Sequence, residues 1–364
     1  MPKNIYIAAT NQSIGKTTTT LGLLTTLINR GVNVGYCKPM GQRYVHHNQD
    51  KVDKDAALFA DILGFELDAS LHSPFIMDSG DSACYIQSPF YKTIADKIDY
   101  AANTLNTKHE CVIFEGTGHP GVGSVFDFSN ADVAKRLGTP VILVAEGGIG
   151  YTIDHLTLCK NLFEAQGVPI AGVIINKVFP EKIDKVKNSL QAYLRKQNIE
   201  LLGIVPFAKD LAYPMLSTIA TEIEGNVLCA EEYMDELVQD TMAGSLIDLE
   251  DLDTDHNYLL VVSTQRLTAA LTKLRKIWDY KKINPDLTGV ILTGNTLVSS
   301  DNIYFLNRHN IPVIQTHYDT YESVIKINKL DVKLNTKTPQ KIKHAIELFE
   351  EHVNIDRICE LLDI

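Results

Sequence analysis

The sequence predicts an α/β fold in which a doubly wound parallel sheet is followed by a smaller α/β domain. Short apolar runs before residue 206 are rich in Val and Ile and do not alternate with polar residues, which is typical of strands covered on both faces. Longer stretches with helical spacing separate these runs, and strands that alternate with helices favour a doubly wound sheet. The same alternation resumes after residue 257.

The predicted elements follow one another in a regular order. In the first half we predict strands at 5–9, 32–37, 111–114, 141–145, 171–175 and 201–205. The helices predicted between them lie at 16–29, 55–63, 132–137, 153–165 and 182–195. In the second half we predict strands at 258–262, 289–292 and 312–316, with helices at 267–278 and 302–308. Two more helices, at 339–350 and 355–362, are predicted near the end of the sequence.

Length and composition indicate more than one domain. The chain has 364 residues, of which 45% are hydrophobic, and this is enough material for two or three domains. We predict a first domain at residues 1–215, a second at 216–335 and C-terminal helices at 336–364. Residues 231–255 hold ten acidic residues and no Lys or Arg, and we interpret them as a solvated helix face and a junction.

The net charge and the cysteine pattern indicate which binding partners and which cellular compartment to expect. The formal net charge is −11 and the pI is about 5.5, which argues against an extended nucleic-acid-binding face. The N-terminus lacks the pattern of a signal peptide, and the sequence has no apolar run of transmembrane length. None of the six cysteines stands in a CxxC pair. We therefore expect a reduced, cytoplasmic protein that binds neither nucleic acid nor membranes.

A phosphate-binding motif lies between the first predicted strand and the first predicted helix. Residues 10–17 read Thr-Asn-Gln-Ser-Ile-Gly-Lys-Thr, which is the P-loop pattern with Thr10 in place of the first glycine. Gly15 lets backbone amides turn toward an anion, Lys16 supplies a charge for the β- and γ-phosphates, and Thr17 offers a hydroxyl to Mg2+. The motif predicts ATP and Mg2+ as ligands. The loop residues predicted to hold the nucleotide are Thr10, Asn11, Gln12, Ser13, Ile14, Gly15, Lys16, Thr17 and Thr18.

Charged side chains also follow two other predicted strands. Lys38 comes directly after the strand at 32–37, and Glu115 follows the strand at 111–114. Open parallel sheets bind ligands at the carboxyl ends of their strands, so both side chains are expected to face the ligand crevice. Glu115, which glycines follow, fits a metal-binding carboxylate. Asp53 and Asp55 are each either a metal ligand or an acid at a helix N-terminus.

Taken together, these residues resemble the dethiobiotin synthetase family. That family has a Thr-led P-loop, a Lys-Pro after the second strand, an Asp-Ala in the next helix, a Glu-Gly-Ala-Gly stretch, and an Asn-Arg after a late strand. The matching segments here are Thr10 to Thr17, Lys38-Pro39, Asp55-Ala56, Glu115-Gly116-Thr117-Gly118 and Asn176-Lys177, with further likeness at 132–144 and 202–206. The resemblance covers about residues 3–210.

The resemblance implies a P-loop NTPase fold and a role for each matched residue. Lys16, Lys38 and Glu115 would be the catalytic residues, with Lys38 stabilising the γ-phosphate and an attacking carboxylate or carbamate oxygen. Thr17, Asp55 and Glu115 would hold Mg2+. Asn176 would contact adenine, and Pro206 would belong to the nucleotide-binding residues. We expect substitutions of Lys38 and Glu115 to reduce turnover more than folding.

The part of the family pattern that recognises the second substrate is not kept. Gln42 stands where the family has a small residue, four positions after the lysine. The loop at 118–123, Gly-His-Pro-Gly-Val-Gly, differs from the family sequence, and residues 72–90 do not resemble its substrate segment. Dethiobiotin is therefore not assigned as the product.

Residues 240–330 resemble the DRTGG domain. The matches are Met242-Ala-Gly-Ser245, Gln265-Arg266, Leu292-Thr-Gly-Asn295 and residues 312–320. The order of the two domains is similar to that of the amino-terminal regulatory part of long bacterial phosphate acetyltransferases. Because the sequence contains no acetyltransferase catalytic domain, we expect that this polypeptide alone does not transfer acetyl groups.

Other residues give weaker indications of function. Cobyrinate amidating synthases share the P-loop half, but their nucleophilic cysteine has no counterpart here, because Cys229 and Cys359 lie in patterns that we interpret as helical. His46 and His47 are predicted to lie in a polar loop rather than in a metal site. Arg266 is either an anion ligand at a helix start or a surface residue.

Two functions fit this sequence. The first is an ATP-dependent ligase that activates a carboxylate or carbamate by phosphoryl transfer. The second is a metabolite-responsive sensor or regulatory ATPase, which we favour because the acceptor half has lost its family likeness. Either function implies a small-molecule partner. The two resemblances, and the prevalence of two-fold dimers among oligomers, predict a homodimer.

Overall fold

The computed structural model describes residues 4–243, 257–281, 287–294, 296–330, 334–336 and 338–364. The chain divides into two compact units. The first unit comprises Met1–Ala208 together with Leu334–Ile364, and the second unit comprises Lys209–Lys333. The second unit is therefore an insertion between two segments of the first.

The first unit is built on a parallel sheet, which confirms the predicted fold class. Its strands are β1 Ile5–Ala9, β2 Val34–Cys37, β3 Met40–Gly41, β4 Tyr44–His47, β5 Asp50–Asp53, β6 Phe75–Ile76, β7 Cys111–Glu115, β8 Val141–Glu146, β9 Ile170–Val178 and β10 Leu201–Pro206. The main sheet has the order β10-β9-β8-β1-β7-β2, and every pair in it is parallel. The P-loop strand β1 is fully buried in the middle. The chain reverses its strand order on either side of β1, which is where doubly wound sheets form their ligand crevice.

Helices cover both faces of this sheet. They are α1 Lys16–Asn29, α2 Lys54–Leu63, α3 Ala69–His72, α4 Asp81–Gln87, α5 Tyr91–Lys108, α6 Asn130–Leu137, α7 Gly150–Ala165 and α8 Ile183–Lys196. The sequence reading missed α5, whose buried residues include Ile94, Ile98, Ala101 and Leu105. Their spacing is helical, but the small alanines on this face give a weak apolar signal.

The second unit is a smaller α/β fold, as predicted. Its elements are α9 Lys209–Ala212, α10 Leu216–Glu222, β11 Asn226–Cys229, β12 Asp240–Ala243, β13 Tyr258–Ser263, α11 Leu267–Lys281, β14 Leu287–Thr293, α12 Ser300–Arg308, β15 Val313–Thr316 and α13 Thr320–Asn328. The sheet order is β11-β15-β14-β13-β12, and β11 alone among these described strands runs antiparallel to its neighbour. Alternate residues of β13 enter two separate cores: Leu260 lies in one and Leu259 in the other. Both faces of this sheet are therefore covered.

Three readings of the sequence need correction. Cys229 ends strand β11 and is not helical, whereas Cys359 does lie in a helix. His46 and His47 belong to an antiparallel hairpin formed by β4 and β5 rather than to an irregular loop. The acidic stretch carries a short 3-10 turn at Glu231–Tyr233 and the strand β12 in its described part, not a long helix face.

Some predicted features fall outside the described residues. These are the acids Asp248, Glu250, Asp251, Asp253 and Asp255, the residues Gly244 and Ser245 of the DRTGG-like opening, and Asn295. Within the part of the chain that the structure describes, no helix is long and apolar enough to cross a membrane.

The last two helices, α14 Pro339–His352 and α15 Ile355–Leu362, pack within the first unit. Phe349 of α14 is 2% exposed and lies against Gly22 of α1, where any larger residue would collide with its ring. Thr26 of α1 donates a hydrogen bond from Oγ1 to Oε1 of Glu350 at 3.0 Å. The backbone N–H of Asn354 donates to the carbonyl of Leu202 in β10 at 2.8 Å. The sequence predicted both helices but not their packing site.

Candidate nucleotide-binding site

The predicted phosphate loop connects β1 to α1 at the carboxyl end of the central strand. Gly15 is the N-cap of α1 and has a φ of 100°, and Ser13 has a φ of 58°. Within residues 15–19, all of which the structure describes, no acidic side chain stands in the first helical turn and no side chain caps the helix. The first turn of a helix carries N–H groups without intrahelical acceptors and the positive end of the dipole. This end of α1 is therefore suited to an anion.

Side chains from the end of β9 hold the tip of the phosphate loop. The Asn176 amide donates from Nδ2 to the carbonyl of Ile14 at 2.8 Å, and Lys177 donates from Nζ to the carbonyl of Ser13 at 2.6 Å. A side chain on Gly15 would overlap the Asn176 amide. Glycine at position 15 is thus required both by its positive φ and by this close approach.

The remaining loop residues differ in exposure. Thr10 is buried, residues 11–13 are exposed, and residues 15–18 are half-buried. Asn11 donates from Nδ2 to the Tyr151 hydroxyl at 3.5 Å and accepts from the backbone N–H of Gln12 at 2.8 Å. Hydrogen bonds therefore hold the loop at Asn11 and at Ser13–Ile14, although residues 11–13 are exposed to solvent.

The side chains of Lys16 and Thr17 contact the last residue of β7 and the segment that follows it. Lys16 donates from Nζ to the carbonyl of Gly118 at 3.3 Å. Thr17 donates from Oγ1 to Oε1 of Glu115 at 3.4 Å. Because β1 and β7 are parallel neighbours, their carboxyl ends meet at one edge of the sheet. The structure thus brings together three of the predicted site residues.

Glu115 is a buried carboxyl group in an environment that opposes its charge. Its side chain is fully buried, and Tyr36 donates a hydrogen bond from its hydroxyl to Oε2 at 3.1 Å. Burial raises the pKa of Glu115 to about 7, and the nearby ammonium groups of Lys38 and Lys16 act in the opposite direction. A cation that approached this carboxylate would favour its charged form.

Lys38 is the centre of a buried ion-pair cluster. Its Nζ lies 3.0 Å from Oδ1 of Asp53 and also contacts Oδ2 of Asp55. Burial works to lower the pKa of Lys38, but Asp53, Asp55 and Glu115 outweigh it and hold the pKa above its ordinary value. Lys38 therefore remains protonated.

The two aspartates also stabilise the start of α2. Asp53 is the N-cap and accepts from the backbone N–H of Asp55 at 2.9 Å, and it accepts from the N–H of Gln42 at 3.2 Å. Asp55 lies in the first turn. Both positions are favourable for a carboxylate because of the helix dipole. Asp53 thus has structural partners that the sequence alone did not reveal.

The chemistry of the donor set fits Mg2+ bound together with a nucleotide. Among the described residues there is no group of three or more His, Cys, Asp or Glu side chains arranged to hold a metal by themselves. Mg2+ does not need one, since it usually takes one or two carboxylates together with phosphate oxygens and water. The Thr17 hydroxyl beside the Glu115 carboxylate offers oxygen ligands of this kind.

Asn130 is a site residue that sequence reasoning missed. Its Oδ1 accepts from the Tyr6 hydroxyl at 2.8 Å and from the N–H of Thr117 at 3.0 Å. Its Nδ2 donates to the carbonyls of Thr117 at 2.8 Å and His119 at 2.7 Å. This buried amide therefore fixes the backbone directly after Glu115. Its partners come from β1 and from the loop after β7, so no local sequence pattern could have indicated them.

Comparison with known proteins places this site in a family. A family model described as an AAA domain matches residues 3–215, and a model described as a DRTGG domain matches residues 218–330. The chain belongs to the AAA domain family. The AAA domain is followed by a DRTGG domain, which confirms the resemblance predicted from the sequence, although the DRTGG match begins earlier than residue 240.

Curated relatives of the AAA domain and of the whole chain agree with this assignment. A phosphate acetyltransferase of Nitratidesulfovibrio vulgaris is 25% identical over 365 residues, covering 97% of this chain and 51% of the relative. A phosphate acetyltransferase of Synechocystis is 21% identical, covering 100% of this chain and 52% of the relative. An ATP-dependent dethiobiotin synthetase of Bacillus subtilis is 28% identical over 214 residues, covering 56% of this chain and 87% of the relative. This chain spans about half the length of the two phosphate acetyltransferases.

The remaining predicted nucleotide contacts lie at the far strands of the AAA domain. Asn176 is in β9 beside β8, and Pro206 ends β10 opposite Val178. The Asn176 bond to Ile14 uses one of its two amide hydrogens, which leaves a second donor for another acceptor. Contact of Asn176 with adenine, and of Pro206 with the nucleotide, stays a prediction.

Proposed function

We propose that the AAA domain binds Mg-ATP in the loop at residues 10–18. The convergence of Lys16, Thr17 and Glu115 at the carboxyl ends of β1 and β7 is the observation that carries this proposal. Lys16 and the loop amides hold the phosphates, and Thr17, Asp55 and Glu115 are the proposed Mg2+ ligands. Bound Mg2+ would neutralise phosphate charge.

The other site residues have proposed roles around the same ligand. Lys38 supplies positive charge near the γ-phosphate from the end of β2. Asn176 contacts adenine, and Pro206 belongs to the nucleotide-binding residues. Residues that align a γ-phosphate and neutralise its charge supply most of the catalysis in phosphoryl transfer, so Lys16, Lys38 and Glu115 are the catalytic residues if ATP is turned over.

We propose further that ATP binding serves regulation in response to a small metabolite. The segments at 72–90 and 118–123 depart from the dethiobiotin synthetase pattern, while the nucleotide half is retained. The fused DRTGG domain supplies a second place where a small molecule could bind. Two relatives of this domain order carry the name phosphate acetyltransferase, which supports a link to metabolism.

An ATP-dependent ligase is the second candidate. The buried Lys38 at the end of β2 and the likeness to ATP-dependent dethiobiotin synthetases favour it. In the structure both Lys38 contacts are to carboxylates, so Lys38 would have to exchange Asp55 or Asp53 for a substrate oxygen. The same exchange is needed for Lys38 to act near the γ-phosphate, so the loss of the family pattern at 72–90 and 118–123 is what favours the regulatory function.

Product analysis separates the two functions. Purified protein is incubated with Mg-ATP and a panel of carboxylate and amine metabolites, and ATP, ADP, phosphate and adducts are quantified. The regulatory proposal predicts ligand-dependent thermal stabilisation, since binding raises stability by mass action, without a stoichiometric adduct. One phosphorylated or amide product formed per ATP consumed would contradict it and support the ligase.

We also propose that the protein is a cytoplasmic homodimer whose partners are small molecules rather than nucleic acid or membranes. The net charge of −11 supports the exclusion of nucleic acid. Light scattering across a dilution series, with and without Mg-ATP, tests the dimer. A particle near 40.5 kDa in every condition would refute the dimer.

A further inference from the structure

The loop after β7, residues 116–123, contacts the phosphate-binding amine through its backbone and carries a histidine at the next position. Lys16 donates from Nζ to the carbonyl of Gly118, and His119 is the next residue. The His119 side chain is exposed. A P-loop lysine bridges the β- and γ-phosphates, so the backbone just before His119 lies beside the expected position of these phosphates. No role proposed above uses this histidine.

The backbone and the ring of His119 are both held in place. Its carbonyl accepts from Nδ2 of Asn130 at 2.7 Å and from the N–H of Val122 at 3.0 Å. Its ring Nδ1 accepts from the N–H of Gly121 at 3.2 Å. A Cβ at position 121 would lie 3.4 Å from His119 Cε1, so a glycine there gives the ring room.

These contacts determine which ring nitrogen carries the proton. Because Nδ1 accepts a hydrogen bond, the neutral imidazole has its proton on Nε2. Nε2 is therefore a hydrogen-bond donor at the tip of an exposed side chain. A phosphate oxygen is a strong acceptor for such a donor.

We propose that His119 reads the terminal phosphate of the nucleotide and so distinguishes a nucleoside triphosphate from a diphosphate, with Asn130 as its positioning residue. This inference rests on the proposed Mg-ATP site. Under this proposal the loop at 116–123 has a function. Where this loop differs from the dethiobiotin synthetase sequence, it carries His119, a hydrogen-bond donor that senses whether the nucleotide has a terminal phosphate.

Calorimetry with Mg-ATP and Mg-ADP tests the role of His119. In His119→Ala the ATP affinity is expected to fall about tenfold to a hundredfold, the range for one hydrogen bond to a charged group, while the ADP affinity changes less than about twofold. His119→Gln keeps a donor near the Nε2 position and is expected to recover part of the loss. His46→Ala, which removes an exposed histidine of the β4–β5 hairpin, is the matched control and is expected to behave as the unmodified protein.

Two results would overturn the role of His119. One is an unchanged ratio of ATP to ADP affinity in His119→Ala. The other is an equal loss of affinity for both nucleotides, since this would mean that His119 supports the whole site rather than the terminal phosphate.

Asn130→Asp tests the positioning role. The aspartate has a similar shape but lacks the two N–H groups that bind the carbonyls of Thr117 and His119. It is expected to lower the ratio of ATP to ADP affinity while ADP binding remains, which a general loss of structure would not produce. Tyr6→Phe removes only the hydroxyl bond to Asn130 and is expected to keep the ratio. If Asn130→Asp does not fold, the two His119 variants decide the question.

Lys16→Ala distinguishes failure of this inference from failure of the proposed site. If Lys16→Ala retains Mg-ATP binding, the site lies elsewhere and both proposals are wrong. If Lys16→Ala abolishes binding and His119→Ala leaves the ratio of ATP to ADP affinity unchanged, the proposed site is supported and the assignment of His119 is wrong.

Discussion

Replacing Lys38 by methionine should destabilise the first unit strongly, which corrects the expectation from the sequence that Lys38 affects turnover more than folding. The side chains of Lys38, Asp53 and Asp55 are 7%, 2% and 9% exposed, so all three groups are withdrawn from water. Methionine fills a similar volume but leaves two buried carboxylates without their cation. Removal of one member of a buried ion pair typically costs about 3–5 kcal/mol. We expect a decrease of that size in the free energy of unfolding at neutral pH.

Urea unfolding, followed by circular dichroism, measures this loss. Arg357→Ala is the control, because it removes two exposed ion pairs, with Glu200 and with Glu360. An exposed pair contributes less than about 1 kcal/mol.

The double variant Lys38→Met with Asp55→Asn tests the electrostatic reason. It removes one of the uncompensated carboxylates and should be more stable than Lys38→Met alone. If Lys38→Met lowers the free energy of unfolding no more than Arg357→Ala does, the buried ion pairs contribute little to stability. A double variant that regains nothing would show that the loss comes from packing rather than from charge.

Three further predictions concern other parts of the first unit. Glu115→Gln is expected to weaken the Mg2+-dependent part of the ATP affinity measured by calorimetry, and unchanged Mg2+ dependence would contradict the metal assignment. The unliganded variant is expected to be at least as stable as the unmodified protein at pH 8, because burial raises the pKa of Glu115 to about 7 and so disfavours its charged form. Burial lowers the pKa of His72 below 6.5, so the unfolded chain binds more protons and stability should fall as pH drops below 6.5, by up to about 1.4 kcal/mol per pH unit. His72→Asn should flatten this profile in urea titrations, and an unaltered slope would refute the assignment. Phe349→Ala should cost about 3–5 kcal/mol of unfolding free energy by leaving a cavity over Gly22, and a loss below about 1 kcal/mol would show that α14 is not held there.

The sequence predicted the sheet of the first unit well because its strands are uninterrupted apolar runs. It also placed Lys16, Thr17 and Glu115 at one site, since parallel strands bring their carboxyl ends to the same edge. The weaker predictions involve contacts between distant segments. The pairing of Lys38 with Asp53 depends on a cap at the start of α2, and the bonds of Asn130 depend on where α6 meets the loop after β7.

The packing of the last two helices is a further contact between distant segments that the sequence did not predict. Their apolar spacing predicted α14 and α15, but only the structure shows that α14 packs against α1. Gly22 is unremarkable in the sequence, because a glycine within a helix does not reveal which ring will lie against it. The prediction for Cys229 was wrong because β11 has only four residues and its sequence, Asn-Val-Leu-Cys, does not alternate polar and apolar residues.

The central claim is that residues 10–18 hold Mg-ATP, and titration calorimetry of Lys16→Ala against the unmodified chain tests it most directly. Lys16 is half-buried and its Nζ donates to the carbonyl of Gly118, and we expect the variant to fold. Circular dichroism before the titration checks that expectation. The account predicts saturable Mg-ATP binding to the unmodified chain and none detectable for Lys16→Ala. Equal ATP affinity in the two folded proteins would contradict it.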